Sequence, residues 1–148
     1  MAFVSQPVNL AADKRTPWGG VSGDADIVIL GLDWSAGTFL MEIRPEPGST
    51  GTAMVSITNA SAGAEGFSAS YDSAYPHPTV TDESGDPLVV GATIIRPQIN
   101  ETTLEGLAYG ADPADAVVLF YDIHATVSGR GKFVLMGGQF TIEPGVTQ

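Results

Sequence analysis

Apolar and polar side chains alternate every second residue in short runs along this chain, and each run is closed off by Gly, Pro, Asn or Asp. That period belongs to strands, whose successive side chains point to opposite faces, whereas a helix repeats roughly every 3.6 residues. Thr38–Arg44 is the clearest case, with Phe39, Met41 and Ile43 on one face and Thr38, Glu42 and Arg44 on the other. One face is predicted to be core and the other wet. Asp26–Leu32 is nearly continuously apolar, as a strand covered on both faces would be. Asp33-Trp34-Ser35-Ala36-Gly37 reads as a turn that folds it against Thr38–Arg44 in a hairpin. Pro45-Glu46-Pro47-Gly48 ends that strand because proline cannot donate to the ladder, and Ala53–Thr58 follows with Ala53, Val55 and Ile57 in phase.

Residues 59–91 carry the weakest pattern. Tyr75-Pro76-His77-Pro78 and Asp82-Glu83-Ser84-Gly85-Asp86-Pro87 read as loops, between short strands near Phe67–Ser70 and Leu88–Val90. Thr93–Gln98 is a further strand. A helix follows over Thr102–Tyr109, in which Thr102 and Glu105 have capping-box spacing and Leu104, Leu107 and Ala108 share a face. Ala116–Val127, Lys132–Met136 and Gln139–Glu143 close the chain as a meander, with Ser128-Gly129-Arg130-Gly131 and Gly137-Gly138 as hairpin turns. Many short strands, one brief helix and no βαβ spacing predict an all-β, antiparallel sandwich of jelly-roll or immunoglobulin-like type, with one short α-helix near residues 102–109. Residues 1–20 are expected to form an extended leader and residues 21–148 a single domain.

Composition narrows the function. Six Lys and Arg against seventeen Asp and Glu give a formal charge of −11, spread as −5 over residues 1–74 (3 basic, 8 acidic) and −6 over residues 75–148 (3 basic, 9 acidic). A polyanion partner needs basic residues to neutralise phosphate, so nucleic-acid binding is disfavoured. The absence of cysteine excludes disulfides, thiolate metal sites and cysteine nucleophiles. No apolar run is long enough to span a bilayer, and the amino terminus lacks the basic start and apolar block of a secretory signal. Without an export signal, the sequons at Asn59 and Asn100 read as accidental.

No cofactor, metal site or catalytic residue is expected. The chain has no His-Glu-x-x-His, no Gly-x-Ser-x-Gly and no phosphate loop. His124 and Asp122 share one face of a strand, which more often marks a polar sheet face than a base and its orienter. Asp24/Asp26, Asp112/Asp115 and Glu101/Glu105 are the candidate acid pairs for a small hydrolase. Asp82-Glu83-Ser84-Gly85-Asp86 offers oxygen ligands for calcium but lacks EF-hand spacing, and reads as a solvated loop. Trp34 reads as a lid over one end of the sandwich. Lys14, Arg15 and Trp18, two basic residues beside an indole, suit docking onto the acidic surface of a neighbouring copy.

Gly31-Leu32-Asp33-Trp34-Ser35-Ala36-Gly37 feeding Phe39-Leu40-Met41-Glu42-Ile43-Arg44 resembles the opening of small β-sandwich virion proteins of tailed bacteriophages. The closing half is similar too: Thr103-Leu104-Glu105-Gly106-Leu107, Tyr121-Asp122-Ile123-His124 and Leu135-Met136-Gly137-Gly138-Gln139-Phe140-Thr141-Ile142. The likeness implies a non-enzymatic structural protein of the tail tip, baseplate or fibre-anchoring region, assembled in the bacterial cytoplasm and located in the virion. Its partners would be copies of itself and other virion proteins. The expected contact residues are Lys14, Arg15, Trp18 and Trp34, with Leu104 from the helical region. The alternatives are a neck or capsid decoration protein, or a carbohydrate-binding module that stacks host-surface glycan on Trp18, Trp34, Tyr71 or Tyr75.

Overall fold

The computed structural model describes residues 7–49, 51–107 and 115–144, which form an all-β, sandwich-like fold with one short helix. The strands are β1 (Leu10–Asp13), β2 (Trp18–Gly19), β3 (Ile27–Leu30), β4 (Thr38–Arg44), β5 (Val55–Ile57), β6 (Gly66–Asp72), β7 (Pro76–Thr81), β8 (Pro87–Val89), β9 (Ala92–Ile99), β10 (Val117–Val127) and β11 (Gly131–Glu143), and α1 is Glu101–Glu105. One sheet runs β1-β11-β10-β4-β5, antiparallel throughout except that β1 lies parallel to β11. In the second sheet β9 is central. It has β6 along one edge and β3 and β2 end to end along the other. The remaining pair, β7 and β8, forms a two-stranded sheet of its own.

The core lies between the two large sheets and follows the alternation. Phe39, Met41 and Ile43 of β4, Ile123 and Ala125 of β10, and Phe140 and Ile142 of β11 are fully buried from one side. Phe67, Ile95 and Ile99 meet them from the other. The layers interlock through aromatic rings, with Phe39 and Phe67 centroids 5.9 Å apart and Trp18 edge-on to Phe140 at 5.1 Å. Each such side chain contributes about 1.5–3 kcal/mol by leaving water.

Several expectations are corrected. β3 and β4 are not a hairpin, because β3 pairs with β9 in one sheet and β4 with β10 in the other. The turn between them crosses layers and is tied by buried Thr93, whose hydroxyl donates to Leu32 O (2.6 Å) and accepts from Trp34 N–H (2.7 Å). The Asn59 sequon side chain is engaged in the same corner, accepting from Phe39 N–H (2.8 Å) and donating to Gly37 O (2.9 Å). Tyr75–Pro78 is not wholly loop, since β7 begins at Pro76.

Gly137-Gly138 is no hairpin turn. It lies inside β11, a single strand of 13 residues, opposite Asp122 and Tyr121. A Cβ on Gly138 would sit 2.4 Å from Val8 O, and Val8 N–H donates to Gly137 O (2.8 Å). Small residues are needed there because another stretch of backbone crosses at contact distance, not because the chain reverses.

The helix is shorter than expected, and the Thr102–Glu105 capping box does not form. Asn100 is the N-cap but its side chain bonds Gln98 rather than the helix, and Glu65 supplies the acceptor from a distant loop, taking Asn100 N–H and the Thr103 hydroxyl at 2.7 Å each. The end of the predicted helix, residues 108 and 109, lies outside the described residues.

The boundary expected at residue 20 also fails. β1 extends the first sheet and β2 the second, so residues 10–19 of the stretch read as a leader belong to the two layers of the domain, while residues 1–6 lie outside the described residues.

Candidate interaction surface

Two of the expected contact residues belong to the core. Trp18 is only 9% exposed and Leu104 not at all, so neither side chain is presented to a partner. Sequence alone placed an indole between Pro17 and Gly19 in a loop. What it did not show was the pairing of Trp18 with Ile99, which delivers the ring onto Phe140. Lys14 and Arg15 follow β1 and are half-exposed, with the Lys14 amide continuing the ladder to Glu143 O (2.9 Å).

Trp34 is the lid the sequence predicted. It packs half-buried against the core, edge-on to Phe133 with centroids 5.4 Å apart, and the Arg130 guanidinium covers the Phe133 ring at 4.2 Å. The same guanidinium lies 5.9 Å from the Trp34 ring centroid, so the indole has Phe133 and a cation as neighbours. Asp33 next to it is held below its ordinary carboxylate pKa by the Ser35 hydroxyl and amide.

The outer face of the five-stranded sheet carries a shallow groove of about 270 Å³ lined by Glu42, Arg44, Glu46, Phe120 and Asp122. Glu42 and Asp122 face each other across β4 and β10, an acidic pair the sequence did not reveal because the two are brought together only by strand register. Arg44 pairs with Glu42, and His124 Nε2 lies 3.3 Å from Asp122 Oδ2. Both acids thus have a basic or imidazole neighbour, as on an ordinary polar sheet face. The acid pairs proposed from sequence can be followed only in part. Asp26 is engaged by Arg96 in a two-point ion pair (2.7 Å each), Glu101 and Glu105 are exposed on α1, and Asp112 lies outside the described residues. That ion pair raises the Arg96 pKa further. Among the described residues no group of three or more His, Cys, Asp or Glu is placed to hold a metal ion.

The most unusual surface is the β7–β8 arm. Nearly every residue from Pro76 to Val89 is exposed, including Val80, Leu88 and Val89, the last at 60%. The arm leaves the second sheet between β6 and β9, where Val90 N–H and Gly91 N–H reach back to Tyr75 O (3.0 and 3.3 Å). Its tip is an Asx turn, with Asp82 Oδ1 accepting from Ser84 and Asp86 amides (2.9 and 3.1 Å). His77 Nδ1 accepts from the Thr79 and Val80 amides within the bulged part of β7. Beside the arm's root, Leu30, Leu32 and Tyr71 add further exposed apolar surface, and Gly31 N–H bonds Gly91 O (2.8 Å).

No protein-family model and no curated protein matches the sequence. No helix among the described residues is long and apolar enough to cross a membrane.

Proposed function

We propose that this chain is a virion structural protein of a tailed bacteriophage, placed in the tail tip, baseplate or fibre-anchoring region, that works by contact with neighbouring subunits and makes or breaks no bond. The observation that carries this reading is the β7–β8 arm. A lone two-stranded hairpin is marginally stable in water, and independent stability needs a third strand or a covering element. Here Val80, Leu88 and Val89 stand in solvent on such a hairpin, next to exposed Leu30, Leu32 and Tyr71. Exposed apolar side chains on an otherwise uncovered hairpin suit an interaction site, and a subunit repeated in an assembly supplies the missing cover. The resemblance of residues 31–44 and 103–142 to small phage sandwich proteins supports the same reading.

The test is localisation on particles. Antibody fragments raised against the folded chain should label one end of the tail of a phage that encodes it. Label at the neck or on the capsid would move the protein within the virion, and particles that carry no copy would overturn the assignment.

A further inference from the structure

Resting on that reading, we propose that β3 is one of the contact edges and that it pairs, antiparallel, with β3 of a second copy of this chain. Asp26–Leu32 has the near-continuous apolar run of a strand buried on both faces, yet in the single chain β3 is an edge strand, with Val28 and Leu30 38% and 37% exposed. An interior sequence in an outer position is accounted for when a further strand lies beside it. The ladder shows which groups that strand would meet. Gly31 N–H donates to Gly91 O (2.8 Å), continuing the register in which Ile27 faces Ile95 and Ile29 faces Thr93. Antiparallel bonds fall on alternate residues, so Ile27, Ile29 and Gly31 bond toward β9 while the N–H and C=O groups of Val28 and Leu30 turn the other way. Among the described residues no strand pairs with that side of β3.

Strand edges are normally guarded by charge, by proline or by being very short, and other edges of this chain follow that rule. β1 ends in Asp13 with Lys14 and Arg15 behind it, β5 has three residues, and the arm carries Pro76, Pro78 and Pro87. On β6, Thr58 O and Ala60 N–H already take the Phe67 N–H and C=O (2.8 Å each), and the strand continues through Ser68 and Ser70 to Asp72. β3 has none of these guards. Ile27–Leu30 is aliphatic throughout, and Asp26 before it is paired with Arg96. On a chain of charge −11 this is an uncharged strip along which two copies can approach. The strip also fits itself. Centred on Ile29, antiparallel pairing sets Val28 of one copy opposite Leu30 of the other, joining their outward groups in about four hydrogen bonds. The two exposed side chains then flank each other across the seam, and the half-buried Ile29 side chains meet at a two-fold axis. β6 offered to the same edge would set serines against aliphatic side chains. The arm starts beside the seam, with Val89 two residues before the Gly91 that holds Gly31, so its own contact with a second copy adds to this one.

Val28→Pro tests the pairing through the main chain, because it removes an N–H that the single chain leaves outside the ladder, and an edge strand tolerates proline in that orientation. Leu30→Lys tests it through the side chain by placing a charge in the seam. Circular dichroism checks that each variant is folded; should Val28→Pro fail to fold, Leu30→Lys and the cross-link described next decide. In sedimentation or native mass measurements the wild type should form dimers, more readily as salt is added, since salt screens the repulsion between two copies of charge −11. Each variant should weaken dimerisation about tenfold or more. Register has its own readout, because the chain contains no cysteine. A directly opposed pair that makes no hydrogen bonds brings Cα atoms to about 4.5 Å, within disulfide reach. Ile29→Cys should therefore cross-link two copies under mild oxidation, while Val21→Cys, at a site 85% exposed, should not. Adding Val28→Pro to Ile29→Cys should abolish the cross-link. If the wild type associates, the variants associate equally well and Ile29→Cys gives no linked dimer, β3 pairing is wrong while the assembly reading stands. Association that weakens with salt marks a contact between paired charges and also overturns the β3 pairing. A wild type that stays monomeric at every concentration overturns it too, and the labelling of particles then judges the assembly reading separately.

Discussion

Strand β2 has two residues and strand β7 has six, yet β2 is fixed in the domain and β7 projects from it. β2 places Trp18 against Phe140, in a core cluster shared with Ile95, Ile99 and Ile142. β7 has only β8 for a neighbour, and both faces of that pair are wet. Ladder length does not decide which segment is held. Backbone hydrogen bonds replace bonds to water and give about 0.5–1.5 kcal/mol each, whereas one buried indole removes 150–250 Å² from solvent. The amino-terminal stretch is thus part of the body despite its turn-rich sequence, and the arm is an appendage despite its longer strands.

The sharpest way to break that contrast is to remove each segment in turn. Deleting residues 1–20 takes away β1, β2 and the Trp18 ring, and should cost ~5 kcal/mol or more, most of a typical domain's stability. Replacing residues 76–89 by a short Gly-Ser link should leave the urea midpoint of the monomer close to that of the full chain. Equal losses from the two deletions would show that the arm is part of the core after all. Trp18→Ala isolates the anchor itself, with an expected loss of about 3–5 kcal/mol in urea unfolding.

Tyr121 gives a finer test. Its hydroxyl donates to Val8 O (2.6 Å), fastening the approach to β1 onto β10, and burial pushes its pKa up to about 12. The folded-state value lies above the unfolded value of about 10, so the phenol's contribution is complete below pH ~10 and is lost as the pH climbs through about 12. Tyr121→Phe should cost about 1 kcal/mol at neutral pH. It should also flatten the alkaline fall of stability relative to wild type, read from urea midpoints across that window. An unchanged alkaline limb would mean that the hydroxyl is not holding the amino-terminal segment.

Much of the body is legible in the sequence. The β4 range was read from alternation alone, because Phe39, Met41 and Ile43 each face the core while Thr38, Glu42 and Arg44 do not. Pairing was not legible. Nothing local in Leu10–Asp13 specifies that it runs parallel to Phe140–Glu143, and Trp18 reads as exposed until Ile99 is placed beside it. Glycines misled in a particular way: Gly137 and Gly138 carry turn chemistry in sequence, but they serve a close backbone crossing by Val8 that lies 130 residues away. The cap of α1 was missed for the same reason, because Glu65 reaches it from 35 residues earlier. The exposed arm is hard to read in the sequence because its apolar residues are scattered among Pro, Gly, Asp and Ser, the vocabulary of loops.

The smallest expected effect is the one that bears most on function. Val89→Ser changes a side chain that is 60% exposed, at the end of β8 where no core residue leans on it. Surface substitutions of this kind fall within about 0.5 kcal/mol, so monomer stability should not move measurably. A contact surface answers differently, because an apolar group desolvated between two copies is lost from the complex and from nowhere else. Val89→Ser should therefore weaken self-association while the unfolding midpoint of the dissociated chain stays put. Trp18→Ala should show the converse, lowering stability far more than it changes the association of the molecules that remain folded. If the two variants shifted both measurements together, the division between body and arm would not hold.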